Sequence, residues 1–90
     1  MIYVDQLRHG GAPWSGGFSC RMTSDAGDDE LLSFAALLGI PRAWFQRSPP
    51  ASVPHFELSP RLRARALELG AVALDRRVTV VRGLAARARR

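Results

Sequence analysis

The sequence predicts a small single α/β domain, with about four short strands in a mostly parallel or mixed sheet and two to three helices. Three observations carry that expectation. A helical segment stops at Gly39 and a short apolar segment follows; the same order recurs at Gly70. Helices that cross over a sheet containing parallel strands produce this alternation. The chain is 90 residues long, enough for one thin core, since a domain of this size buries only a little over ~60% of its unfolded surface. The domain is placed at residues 1–77, with 78–90 as a basic C-terminal helix or tail.

Taken in order, MIYV is short, apolar and β-branched, a buried strand ending at Asp5. RHGGAPWSGG holds four glycines and a proline in ten residues and reads as loop. FSCRMTS alternates weakly and reads as a second strand. In SDAGDDELLSFAALLGIP, Ser24 or Asp25 can accept first-turn backbone N–H groups as N-cap, and Asp28, Asp29 and Glu30 suit the positive end of the helix dipole. Leu31, Phe34, Ala35 and Leu38 form one apolar stripe; Gly39 can take the left-handed position that ends a helix, and Pro41 blocks continuation.

RAWFQ reads as a third strand, with Trp44 and Phe45 on opposite faces as core residues. SPPASVP is loop and HFEL a short edge strand. Ser59 followed by Pro60 is a strong second helix start, with Leu62, Ala66 and Leu69 inward and Gly70 as the stop. AVAL reads as a buried strand ending at Asp75. Residues 76–88 fit two descriptions. Val78, Val81, Leu84, Ala85 and Ala88 suit a helix capped by Asp75, which we favour, while the run VTVV suits a strand.

An apolar fraction of 47% with 23% charged residues is that of a folded globular chain. No run approaches the roughly 20 apolar residues of a membrane span, and MIYVDQLRHG has no secretory pattern, so a cytoplasmic protein with no membrane partner is expected. Cys20 is the only cysteine, which excludes an internal disulfide and a zinc site on paired cysteines. All 13 basic residues are arginine, and the net charge is +5. Residues 1–60 hold four arginines against six acids, a balance of −2, whereas residues 61–90 hold nine against two, a balance of +7. That asymmetry suits an anionic partner, nucleic acid or an acidic protein, and an arginine-rich solvated helix face is the plainer alternative.

With parallel strands, side chains for chemistry would gather at the carboxyl edge of the sheet. Asp5, Asp25, Gln46, Arg47 and Asp75 stand at or near strand ends, and the loops add Arg8 and His55. Asp5 can bind a metal, act as a base, or simply hold its loop by accepting backbone N–H groups. His55 can titrate or coordinate metal, or serve as a partly buried hydrogen-bond donor. His9 reads as exposed and Cys20 as a small buried hydrophobe. GGAPWSGG has neither dinucleotide-loop spacing nor a P-loop lysine.

The order YVD, a tryptophan-bearing loop, an acidic-started helix ending LLG, then R-x-WFQ, a loop and HFELSP resembles a small uncharacterised bacterial and phage family, domain of unknown function 4031. The likeness covers about residues 1–77. Asp5, Trp44, Phe45, Gln46 and His55 match its pattern; Arg21 and Ser33 stand where histidine is common, and Phe56–Glu57 where Tyr–Asp is common. If the family's site uses several histidines as metal ligands, the resemblance implies that it is lost here, where only His55 of them is kept; if it depends on Asp5, Gln46 and His55, it can survive.

The favoured functional reading is a non-enzymatic binding module, with Arg61, Arg65, Arg76, Arg77, Arg87, Arg89 and Arg90 meeting an anionic partner. The alternative is a small phosphoester or nucleotide enzyme. There Asp5, Asp25 and Asp75 would hold Mg²⁺ or Mn²⁺, Arg8 or Arg47 would meet phosphate, and His55 would move protons. A third reading is an accessory protein acting by protein contact alone.

Overall fold

The weak alternation in FSCRMTS is the feature around which the chain is built. In the computed structural model, which describes residues 1–10, 16–47 and 53–74, β3 (Phe18–Ser24) pairs with three other strands. β1 (Ile2–Val4) runs antiparallel along it, with Ile2 opposite Ser24 and Val4 opposite Met22. β2 (Arg8–His9) continues along β3, Arg8 opposite Ser19. β4 (Phe56–Leu58) pairs antiparallel, Met22 facing Phe56 and Cys20 facing Leu58. β5 (Val72–Ala73) lies parallel to β1. The sheet is therefore mixed, and among the described residues β1–β5 is its parallel pair.

Two helices cover one face of this sheet. Alternate residues Ile2, Val4, Cys20, Met22, Phe56 and Leu58 are buried there with Leu31 and Ala35 of α1 (Asp28–Leu37) and Ala66 of α2 (Pro60–Glu68). Full burial of a large apolar side chain contributes about 1.5–3 kcal/mol, so this row dominates the fold's stability. Phe34, Leu38 and Leu62 pack at the margin of the same cluster.

Both helices end the same way. After α1, Gly39 (φ 76°) donates to the Ala36 carbonyl and Ile40 to that of Ala35. After α2, Gly70 (φ 108°) donates to Leu67 and Ala71 to Ala66. These are Schellman stops: a left-handed residue reverses the chain, and a buried Ile40 or Ala71 follows it into the core. α2 also begins as its sequence indicates, with the Ser59 hydroxyl accepting the Leu62 N–H at 3.2 Å and Pro60 in the first turn.

Several elements differ from the sequence reading. The N-cap of α1 is Gly27, because Ser24 is still paired with Ile2 in the ladder and Asp25 follows directly. The Ser24 hydroxyl instead accepts the Ala26 N–H and donates to Glu30. Part of the glycine-rich loop is strand, since Arg8–His9 finds a free stretch of β3 to pair with. RAWFQ is not a strand. Arg42–Trp44 forms a single 3-10 turn closed by local bonds, Trp44 to Pro41 and Phe45 to Arg42, and extended pairing begins only where Gln46 meets His55. Consequently Trp44 is 45% exposed instead of core, while Phe45 packs on Phe56 with ring centroids 5.4 Å apart. Val72 is also exposed; among the described residues β5 pairs only with β1, and Ala71 supplies the buried contact. Leu69, just past the last residue of α2, is exposed, and Leu67 packs against the core instead. The helix-or-strand alternatives for residues 76–88, the end of the last strand at Asp75 and the 78–90 tail lie outside the described residues. Among those described, no helix is long and apolar enough to cross a membrane.

Candidate binding pocket on the polar face of the sheet

The antiparallel pairing of β1 with β3 decides which candidate residues can meet. Asp5 lies opposite Arg21 and Asp25 opposite Met1, since the Asp5 N–H donates to the Arg21 carbonyl and the Asp25 N–H to that of Met1. These positions stand four residues apart along the ladder, about 14 Å at ~3.4 Å per residue. Asp5 and Asp25 thus occupy opposite ends of the pairing and cannot share one ion at 2.0–2.6 Å bond lengths. The expected common edge needed parallel strands, and this pair is antiparallel. Asp25 holds the Tyr3 hydroxyl at 3.1 Å and the Met1 ammonium at 3.0 Å.

Asp5 sits at an irregularity in the sheet. Between the pairs Val4–Met22 and Arg8–Ser19, β1–β2 has three residues where β3 has two. Such an extra residue is a β-bulge, which bends a strand and re-aims its side chains. The Arg21 N–H, which a regular ladder would give to the Asp5 carbonyl, donates to Asp5 Oδ1 at 2.7 Å. The Asp5 carbonyl accepts Arg63 Nε–H from α2 at 2.9 Å. One residue therefore closes the bulge with its side chain and ties the sheet to a helix with its backbone. Only 2% of Asp5 is exposed. Burial pushes its carboxyl above the usual value, against the lowering by the Arg21 N–H and by the Arg8 and Arg21 charges.

Residues alternating with the core row face the other side. Arg21 stands between Asp5, which follows β1 directly, and Glu57 on β4. Its Nε lies 3.5 Å from Glu57 Oε2, which also lies 3.2 Å from His55 Nε2. His55 Nδ1 lies 2.9 Å from the Val53 carbonyl oxygen. Both ring nitrogens thus face oxygens, and which of them donates depends on the tautomer. Hydrogen bonding to His55 holds the Glu57 carboxyl below its usual value, with Ser19 and Arg21 adding to the effect against the cost of burial. Arg8 Nη2 lies 3.9 Å from Asp5 Oδ2. Asp5, Arg8, His9, Ser19, Arg21 and Glu57 are among the residues lining a cavity of about 250 Å³. Cys20 reaches its wall, and burial pushes that thiol up to about 12, so it stays protonated at neutral pH.

The other candidates are dispersed. Gln46 meets His55 through two backbone hydrogen bonds of 2.9 and 3.0 Å. Arg47 turns to the first turn of α1, 2.9 Å from Asp28. His9 is exposed and meets Phe18 edge-on at 5.1 Å. Arg61 and Arg65 are exposed on α2, Arg65 lying 3.7 Å from Glu68. Asp75, Arg76, Arg77, Arg87, Arg89 and Arg90 fall outside the described residues. Among those described, no three His, Cys, Asp or Glu side chains form a group that could hold a metal ion. Sequence reading missed Glu57, Ser19 and Arg63, and read Arg21 only as a departure from a family pattern. Period two along FSCRMTS and HFEL carried the signal for the first two and for Arg21; nothing in the sequence announced the Arg63–Asp5 contact.

A family model described as "Protein of unknown function (DUF4031)" matches residues 2–87, extending beyond the 1–77 covered by the motif likeness. No curated protein and no solved structure matches the chain.

Proposed function

The chain belongs to the family of proteins of unknown function DUF4031, and from that premise we propose that it is a non-catalytic binding module for an anionic partner, nucleic acid first. One observation carries this reading. Residues 1–74 hold seven arginines and seven acidic residues and so balance to zero, while residues 75–90 hold six arginines and Asp75, a balance of +5. Several of the fold's own charges are engaged locally: Arg21 with Glu57, Arg47 with Asp28, Arg65 with Glu68. The surplus that a polyanion would meet lies in the C-terminal segment, and Arg61 on α2 is a further exposed arginine. Clustered like charge of this kind attracts phosphate backbones and releases their counterions on binding.

The test is fluorescence anisotropy of a labelled single-stranded and a labelled duplex oligonucleotide with the full chain. The comparison is with a variant in which Arg76, Arg77, Arg87, Arg89 and Arg90 are glutamine. The expected result is binding by the wild type that the variant loses. Equal binding by both would remove the C-terminal segment from the account.

A further inference from the structure

We infer that the cavity on the polar face of the sheet is a binding site for a small oxyanion, a phosphate monoester or a carboxylate, gripped by Arg8 and Arg21. The inference stands apart from the C-terminal charge, because it rests on which donors and acceptors around the cavity are already in use. On each carboxylate an acceptor is already in use. Asp5 Oδ1 takes the Arg21 N–H at 2.7 Å. Glu57 is held by His55 and by the Ser19 hydroxyl. Among the described residues the guanidinium donors make no short hydrogen bond. Each carries five N–H groups, yet Arg8 comes no closer than 3.9 Å to Asp5, and Arg21 Nε no closer than 3.5 Å to Glu57. A formed charge-assisted bond measures about 2.7–2.9 Å, so both contacts are ion pairs without a good hydrogen bond.

Geometry sets the ligand class. Two planar guanidinium groups facing one cavity match the paired oxygens of a carboxylate or phosphate, which bidentate contacts recognise. Asp5 and Glu57 balance the two positive charges formally, so the site selects by shape and hydrogen bonding and gains little from charge attraction alone. Its volume of about 250 Å³ admits a small ligand or the head of a larger one, below the roughly 300–1,000 Å³ of pockets for drug-sized molecules. Asp5, almost wholly buried in the wall and fixed by the bulge, gives the floor of the site a rigid position.

The experiment is thermal unfolding of the full chain in rising inorganic phosphate, acetate and chloride at matched ionic strength. A ligand of the native state raises the midpoint saturably by mass action. The expected result is a saturable rise with phosphate or acetate and none with chloride, and whichever anion acts at lower concentration identifies the source chemistry. R8Q and R21Q should each weaken the response roughly tenfold or more, as loss of a hydrogen bond to a charged group does; R42Q, at an exposed arginine of the 3-10 turn, should leave it intact. Should R21Q fail to fold, R8Q decides, because Arg8 is partly exposed and its ion pair to Asp5 is long. No saturable rise, an undiminished response in R8Q, or its loss in R42Q would each overturn the assignment.

Discussion

The two faces of β3 come from one seven-residue strand and do opposite things. On the side of the helices, Cys20 and Met22 join Ile2, Val4, Phe56 and Leu58 in a closed apolar row. On the other side, Ser19 and Arg21 stand beside Asp5 and Glu57 around a cavity. The difference shows that burial and apolarity are separate properties here. Asp5 and Thr23 are as inaccessible as the core residues, at 2% and 0%, yet both are polar. A polar group withdrawn from water costs free energy unless it is hydrogen-bonded, and Asp5 offsets that cost by accepting the Arg21 N–H on its carboxylate and Arg63 Nε–H on its carbonyl.

The sharpest way to separate the faces is to damage each. Phe56→Ala removes the largest fully buried side chain of the core row. It should cost about 3–5 kcal/mol in chemical denaturation, a large share of the roughly 5–15 kcal/mol typical of a domain. On the polar face, Asp5→Ala leaves the Arg21 N–H without its acceptor and should cost about 1–3 kcal/mol. Asp5→Asn, which retains an oxygen, should cost less. If Asp5→Ala were neutral, the bulge would not depend on the carboxylate.

The same face should carry opposing responses to pH. Because folding raises the Asp5 pKa, the folded protein holds that proton more tightly. Relative to Asp5→Asn, the wild type should be most stable below the ordinary aspartate value and lose stability as pH rises through the raised one. Glu57 is lowered, so its contribution is present above the ordinary glutamate value and fades as pH falls through the lowered one. Melting midpoints across the acid range should show Glu57→Gln losing less on acidification than the wild type. The smallest effect belongs outside both faces. Leu37 is 69% exposed on α1, and Leu37→Gln should change stability by less than about 0.5 kcal/mol.

Sequence made the helices legible because their signals are local: Ser59–Pro60 opens α2, and Gly39 and Gly70 close both helices. It also made the α/β class and the partners of the apolar row legible. What it concealed were pairing direction and register. Whether β1 meets β3 parallel or antiparallel depends on partners distant in the chain, and that choice moved Asp25 to the opposite end from Asp5. RAWFQ looked like strand because Trp and Phe favour strands, yet local turn bonds form over Arg42–Trp44 and pairing begins at Gln46. Of the candidate residues, Asp5 and Arg8 meet at the cavity and Gln46 meets His55 across a bridge. Arg21 and Glu57 complete the group only because the register sets them side by side.

The contrast between a charge-balanced fold and a basic C-terminal segment is most directly tested by the salt dependence of oligonucleotide affinity for the full chain. If the six arginines beyond residue 75 each neutralise a phosphate on duplex DNA, log K should fall linearly with log salt at a slope of about −5. A slope near zero, or no binding at low salt, would contradict the account.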